Sequence, residues 1–167
     1  MSVPRKIEIV RAGPDDAGTA SAILTGVASG LTGRGETLWF FDELTPERFA
    51  SAIEAGELYL VKKEGAAVGT VILQDADGIY WPDMLKRDAL YIHKLAFVDF
   101  VRGQGLGGKV IAWAKARACS AGMTYLRLDT EAARTRLCAF YESAGFHRHS
   151  ERQVGRHYVA RYEMRLR

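Results

Sequence analysis

Between an apolar run, Leu90–Val98 (LYIHKLAFV), and an amphipathic stretch, Gln104–Gly122, the chain sets four glycines within six residues: Gly103, Gly105, Gly107 and Gly108. The run before them predicts a buried strand. The stretch after them, with Leu106, Val110, Ile111 and Ala114 at helical spacing, predicts a helix. A strand that passes through bare glycines into a helix leaves backbone N–H groups at the positive end of the helix dipole. That arrangement favours an anion, and phosphate above all.

Three phosphate-binding turns share this outline. Gly103-x-Gly105-x-x-Gly108 has the spacing of a dinucleotide fingerprint, with Asp129 about 20 residues further on. The strand does not run straight into its first glycine, however. Only 59 residues follow Gly108, too few for the rest of a doubly wound sheet. Gly103-x4-Gly108-Lys109 is close to a nucleotide P-loop, but Val110 stands where that loop needs a hydroxyl for magnesium. The third outline is Arg102-x-x-Gly105-x-Gly107.

The rest of the chain predicts a mixed α/β domain. Lys6–Ala12 alternates like a strand. Pro14-Asp15-Asp16 opens a helix that Gly30, Gly33 and Gly35 interrupt. Thr45 caps a short helix starting at Pro46 and closing at Gly56. Leu58–Lys63 and Val68–Leu73 flank Glu64-Gly65 as a hairpin, and Asp75–Asp88 is a loop. Tyr125–Asp129 is a strand, Ala133–Ala144 a helix, and two last strands fall near Phe146–Arg152 and His157–Leu166. No repeat or linker divides residues 1–167, so a single domain is expected, as the length also suggests.

With this order of elements, the glycine turn after Tyr91-Ile92-His93-Lys94-Leu95-Ala96-Phe97 resembles the acetyl-coenzyme A signature of the GNAT family of N-acetyltransferases. The downstream run supports it: Leu126-Arg127-Leu128-Asp129-Thr130, then Leu137-x-x-Phe140-Tyr141-Glu142-x-x-Gly145-Phe146. The resemblance implies a mixed, strongly twisted and splayed sheet of about seven strands flanked by four helices, opening between strands at Leu95 and Leu126. It also implies a coenzyme site. The amides of Gly103, Gln104, Gly105, Leu106, Gly107 and Gly108 would grip the pyrophosphate, with Arg102 adding charge. The backbone of Leu95, Ala96 and Phe97 would pair with the pantetheine, and the Leu95 N–H would polarise the thioester carbonyl. Tyr141 would donate to the departing thiolate.

Histidine in water has a pKa of ~6.5, which suits a proton acceptor for an attacking amine, and His93 lies on the expected coenzyme strand. Tyr91 stands where many relatives carry a glutamate for that task; Glu36, Asp42 and Glu43 are substitutes. Arg134 occupies the place of an asparagine that usually holds the pantetheine. The implied reaction is direct transfer of an acetyl group from acetyl-coenzyme A to a primary amine of a small molecule or protein. The acceptor would meet 31–44 and 77–88, where Trp39, Phe40, Phe41, Tyr80 and Trp81 suggest an aromatic lining and Asp42, Glu43 and Asp83 suit a cation.

Composition narrows the alternatives. The net charge is +3, yet residues 134–167 hold eight arginines against three glutamates, a local +5 that leaves −2 elsewhere. That end could mark a nucleic-acid module, but its arginines alternate with apolar residues and read more simply as the outward positions of strands. An acyl-coenzyme A sensor without catalysis would need the glycine turn and no base. Cys119 and Cys138 lack metal or disulfide spacing and read as core, so no metal is expected. The opening MSVPRKIEIVRAGPDD has no apolar stretch of signal-peptide length, and no window approaches a membrane span. A cytoplasmic protein without membrane contact is expected, and the final strands could pair across a homodimer.

Overall fold

The computed structural model describes residues 6–166. Seven strands are hydrogen-bonded in the order β1-β2-β3-β4-β5-β7-β6. They are β1 (Ile7–Arg11), β2 (Leu58–Lys63), β3 (Ala66–Gln74), β4 (Ala89–Phe97), β5 (Tyr125–Glu131), β6 (His147–Val154) and β7 (His157–Arg165). Four helices accompany them: α1 (Ala17–Gly33), α2 (Ala50–Glu54), α3 (Leu106–Ser120) and α4 (Thr135–Ser143). The chain packs as two compact units, one up to Ile72 together with Lys94–Gly107, the other Leu73–His93 together with the chain from Gly108 onward.

In the first unit, β1 and β3 lie antiparallel on either side of β2. The β2–β3 hairpin turns through Glu64 and Gly65, with φ of 54° and 84°. Two consecutive left-handed residues give a turn whose twist matches that of the strands. Helix α1 buries Ala20, Ile23, Leu24, Ala28 and Leu31 along one stripe. Those residues, apart from Ile23 and Leu31, share a core with Leu44, Phe49, Leu58, Leu60, Ile72 and Ala96. The Ser21 hydroxyl donates to the Leu44 carbonyl at 2.6 Å, tying the segment after α1 to the helix.

Two expectations change here. Helix α1 runs through Gly30 to Gly33 instead of breaking. A helical glycine costs only ~1 kcal/mol relative to alanine, and the burial of Leu31 offsets it. Thr45 precedes Pro46, but its hydroxyl makes no capping bond, and the first turn there is 3₁₀ before α2 begins.

The second unit holds β5, β6, β7 and the first half of β4. Ala89–Ile92 run parallel to Tyr125–Leu128, β5 pairs antiparallel with β7, and β6 folds back on β7. Trp81, from the loop before β4, is buried with Ala89 and Tyr91. Two guanidiniums face its indole: Arg127 at 5.3 Å and Arg161 at 4.6 Å from the ring centroid. Both arginines are buried and both are paired. Arg127 donates to the Tyr91 hydroxyl at 3.1 Å and to Glu163 at 3.0 Å; Arg161 forks onto Asp83 at 2.6 and 3.1 Å. Buried cations need such partners. Arg148 stays exposed and donates to the Tyr162 hydroxyl at 2.9 Å and to Glu151 at 2.7 Å. Among the described residues, no helix is long and apolar enough to cross a membrane.

Candidate active site

The glycine turn starts from a fixed point. The Val98 N–H donates to the Val68 carbonyl at 2.9 Å, a 3₁₀ turn follows over Asp99–Val101, and Val101 is buried. Gly103 and Gly105 then take φ of 77° and 75°, left-handed values that a β-carbon disfavours. The second of these prevents helix α3 from starting before Leu106, two residues later than the pattern predicts. A Cβ built on Gly103, Gly105 or Gly108 meets nothing within 4 Å. These glycines therefore satisfy the backbone and leave its surface bare; they relieve no crowding. Among the described residues, the N–H groups of Gly103, Gln104 and Gly105 donate none of the turn, loop or cap hydrogen bonds. They lie exposed at the N-terminus of a 15-residue helix. Leu106, buried, anchors the helix beneath them. Beside them Arg102 faces Asp99 at 3.6 Å, and Gln104 accepts from Lys63 and reaches the Phe100 carbonyl.

Just upstream, β4 changes character. Its ladder with β5 ends at Ile92↔Leu128, and β4 continues to Phe97. Lys94 has φ of 52°, a left-handed residue inside a strand. Such a conformation costs roughly 1–2 kcal/mol for a residue with a side chain, and strain of this kind collects at working sites. It is held by the Thr70 hydroxyl, which donates to the Lys94 carbonyl at 2.7 Å, and by the Lys94 ammonium, 5.3 Å from the centre of the Trp39 ring. Beyond it Ala96 is buried while Leu95 and Phe97 are half-buried. Gly69 on β3 permits the approach of this segment: a Cβ there would lie 2.5 Å from the Phe97 ring and 2.8 Å from the Ala96 carbonyl.

The second unit gathers a polar cluster. His93, at the last position of β4 in this unit, turns Nε2 toward Asp77 Oδ2 at 3.3 Å. Asp77 opens the loop after β3 and is held by an Asx turn, its Oδ1 accepting the N–H groups of Ile79 (3.0 Å) and Tyr80 (2.9 Å). Burial opposes its charge, yet the His93 contact and the two backbone N–H groups outweigh burial and hold the carboxyl below its ordinary range. Asp129 on β5 joins them: one ligand-type atom from each of Asp77, His93 and Asp129 lies within 4.8 Å of the other two. Tyr141 on α4 is buried against Phe146, edge to face with ring centres 6.0 Å apart, and near Tyr162. Burial pushes its phenol well above the ordinary range; Asp129 adds to that, and Arg134, at the N-cap of α4, opposes it.

His93, Tyr141 and Arg134 are thus brought into one electrostatic neighbourhood, with Asp129 acting on Tyr141 and standing beside His93. No spacing in the sequence ties Asp77 to His93, and Asp129 stands out there only within a dinucleotide fingerprint and the strand run Leu126–Thr130, with no role beside His93. The one local signal was Asp77-Gly78, an Asx-turn pair at the head of a loop.

The acceptor side needs two corrections. Trp81 is a core residue, 1% exposed, and lines no surface. Asp83 is engaged by Arg161, which brings its pKa down to about 2, so it secures the loop instead of awaiting a cation. Glu43 caps the turn it sits in by accepting the Phe40 N–H at 2.9 Å. Trp39, Phe40 and Tyr80 are half-buried and Phe41 is half-exposed. Cys138 is buried and Cys119 half-buried, and neither forms a disulfide among the described residues.

The sequence model of the acetyltransferase (GNAT) family matches residues 32–146. The chain is 29% identical over 138 residues to the uncharacterized N-acetyltransferase YesJ of Bacillus subtilis (strain 168), covering 79% of this chain and 77% of YesJ. In three dimensions it is similar to a GNAT-family acetyltransferase from Listeria monocytogenes 4b F2365 (TM-score 0.81, 20% identity, 99% of each chain covered). It is also similar to yncA, a putative acetyltransferase from Salmonella typhimurium solved with acetyl-CoA (TM-score 0.72, 15% identity, 97% and 95% covered).

Proposed function

This chain belongs to the GNAT family of acetyltransferases, and from that premise we propose that it carries an acetyl group from acetyl-coenzyme A directly to a primary amine, within a single domain spanning residues 1–167. The observation that carries the coenzyme assignment is the glycine turn, whose exposed backbone crowds against nothing and opens a long helix. A pyrophosphate accepted by the amides of Gly103–Gly108 would gain both hydrogen bonds and the helix dipole. Arg102, exposed and only loosely held by Asp99, is free to turn to the same phosphates. Upstream, the backbone of Leu95, Ala96 and Phe97 takes the pantetheine as an added strand. The Leu95 N–H is the donor proposed for the thioester carbonyl, where charge develops as the amine attacks.

The remaining steps move protons. The amine arrives mostly as ammonium and must lose a proton before its lone pair can attack the thioester carbon. His93 accepts that proton, directly or through water, with the Asp77 carboxylate 3.3 Å from its Nε2. When the tetrahedral intermediate collapses, the carbon–sulfur bond breaks and the thiolate leaves. Tyr141, kept protonated by its burial, donates a hydrogen bond to that sulfur. An ordinary thiol has a pKa of ~8.5, far below that of this phenol, so full proton transfer from Tyr141 is uphill and hydrogen-bond donation is its main contribution. Arg134 adds a positive field on the same side. The acceptor enters past Trp39, Phe40 and Phe41 of the first unit, aromatic side chains suited to an amine with a hydrophobic body.

The test is a screen of primary amines with detection of thiol release, coupled to calorimetry on Gly105→Glu. That substitution sets a carboxylate among the proposed phosphate donors; its Cβ meets nothing within 4 Å, so the fold feels it through the left-handed backbone at φ of 75°. We expect turnover with at least one amine, and a folded variant that no longer binds the coenzyme. Unchanged coenzyme affinity in the folded variant would refute the phosphate assignment.

A further inference from the structure

We propose that Asp77, His93 and Asp129 form a binding site for a divalent transition-metal ion of the zinc class. All three belong to the second unit, and each comes from a different element: the loop after β3, strand β4 and strand β5. One donor atom from each lies within 4.8 Å of the other two. Zinc bonds to imidazole nitrogen and carboxylate oxygen at ~2.0–2.1 Å, which sets the edge of a tetrahedral site at about 3.3 Å. His93 Nε2 and Asp77 Oδ2 stand at 3.3 Å.

The orientation of these two atoms is the second observation. Both are buried, and neither has a hydrogen-bond partner among the described residues, even though they face each other at that distance. Their separation is that of two ligands to one ion, without the geometry of a hydrogen bond between them. The Asp77 side chain is 5% exposed, so its Oδ2 has no recourse to solvent. Its Oδ1 is already occupied by the Ile79 and Tyr80 N–H groups, which fix the carboxylate with Oδ2 turned toward His93. An immobilised, buried carboxylate oxygen beside an imidazole nitrogen is the environment in which a cation recovers the most.

The donor set selects the ion. One imidazole and two carboxylates suit zinc and its first-row neighbours. Magnesium and calcium seek six or more oxygens, and thiolate-preferring ions find no sulfur in this set. Three protein donors leave a fourth position for water or another small ligand. Sequence spacing conceals such a site, because its members are assembled by strand pairing and a loop rather than by a local motif.

The binding claim does not depend on the acetyl-transfer reading. Its consequence does: an ion seated there occupies the imidazole lone pair that His93 would use to accept a proton, so the loaded chain would lose turnover and regain it with a chelator.

The test is calorimetric titration of the full chain, first stripped with chelator, using zinc chloride alone. One ion per chain is expected, with a Kd of ~1 µM or tighter. Asp77→Asn and Asp129→Asn should each weaken binding by at least ~10-fold, the lower end of what loss of even a supporting partner costs at a metal site. His147→Ala, a histidine on the exposed strand β6, should leave it unchanged. Cobalt(II) added to the unsubstituted chain gives a reading that needs no variant: intense visible bands mark four-coordinate N/O ligation. No binding below ~100 µM, a weak octahedral cobalt spectrum, or affinity lost in His147→Ala and kept in Asp77→Asn would overturn the site. Zinc binding without acetyl transfer to any amine would leave the site standing and refute the enzymatic reading; acetyl transfer without zinc binding would do the reverse.

Discussion

Tyr141 carries one hydroxyl, and its surroundings decide in which direction that proton is offered. Burial and Asp129 both disfavour the phenolate. The group therefore stays a donor through the alkaline range where a solvent-exposed tyrosine, at ~10, would begin to ionise. For Tyr141→Phe we expect turnover to fall about 10- to 100-fold with coenzyme affinity within ~3-fold of the parent, the pattern of a group that acts in the transition state. Steady-state kinetics beside coenzyme titration separates the two; equal turnover would remove the donor role. Lys94 offers a different residue-level test. Its left-handed backbone should make Lys94→Gly more stable than Lys94→Ala by about 1 kcal/mol, since both lose the Trp39 contact and only glycine escapes the strain. Denaturant titrations giving the opposite order would mean that the strain is not there.

The loop between β3 and β4 behaves as an element, although it has no regular hydrogen bonding. Trp81 plugs it into the core, and the Arg161–Asp83 fork clamps it from β7. The Asp83 pKa is about 2, below the ordinary ~3.9, so the clamp stabilises the fold above the unfolded value and loses that contribution as the pH falls toward 2. Asp83→Asn should cost about 1 kcal/mol at neutral pH, a modest figure because the carboxylate is nearly half exposed. Thermal unfolding of parent and variant should converge between pH 4 and 2 by that reasoning; a constant gap would assign the loss to something other than ionisation. Elements differ in how readily their residues announce them. Strand β4 is legible because its apolar run is long. Strand β6 is hard to bound because it is mostly exposed on both faces, so no alternation marks it, and it extends to Val154 rather than stopping at Arg152. The glycine turn was legible because backbone chemistry alone demands its residues. Asp77 was not, since its role arises only where a loop passes the end of a strand.

At the scale of the molecule, the two compact units are interleaved in sequence: the chain leaves the first at Ile72 and returns to it at Lys94. The first unit's core includes Ala96, and its β3 hydroxyl at Thr70 needs the Lys94 carbonyl. A fragment ending at residue 93 lacks both. We expect it to show no cooperative thermal transition by circular dichroism; a sharp transition would mean that the first unit is complete without its returning segment. The same interleaving explains why the sequence does not announce two packing centres. No linker or change in composition marks the points where the chain crosses from one to the other.

The open space above Gly103, Gly105 and Gly108 has a bearing on how such a chain can change over time. Residues there answer to no neighbour, so a substitution is felt by the fold only through backbone strain, ~1–2 kcal/mol at each left-handed position against a total stability of ~5–15 kcal/mol. Heredity can therefore alter or discard the proposed phosphate cradle and still pass on a folded protein. A descendant that has lost the reaction would keep its architecture, and the first mark of that loss would be side chains appearing where this chain has none.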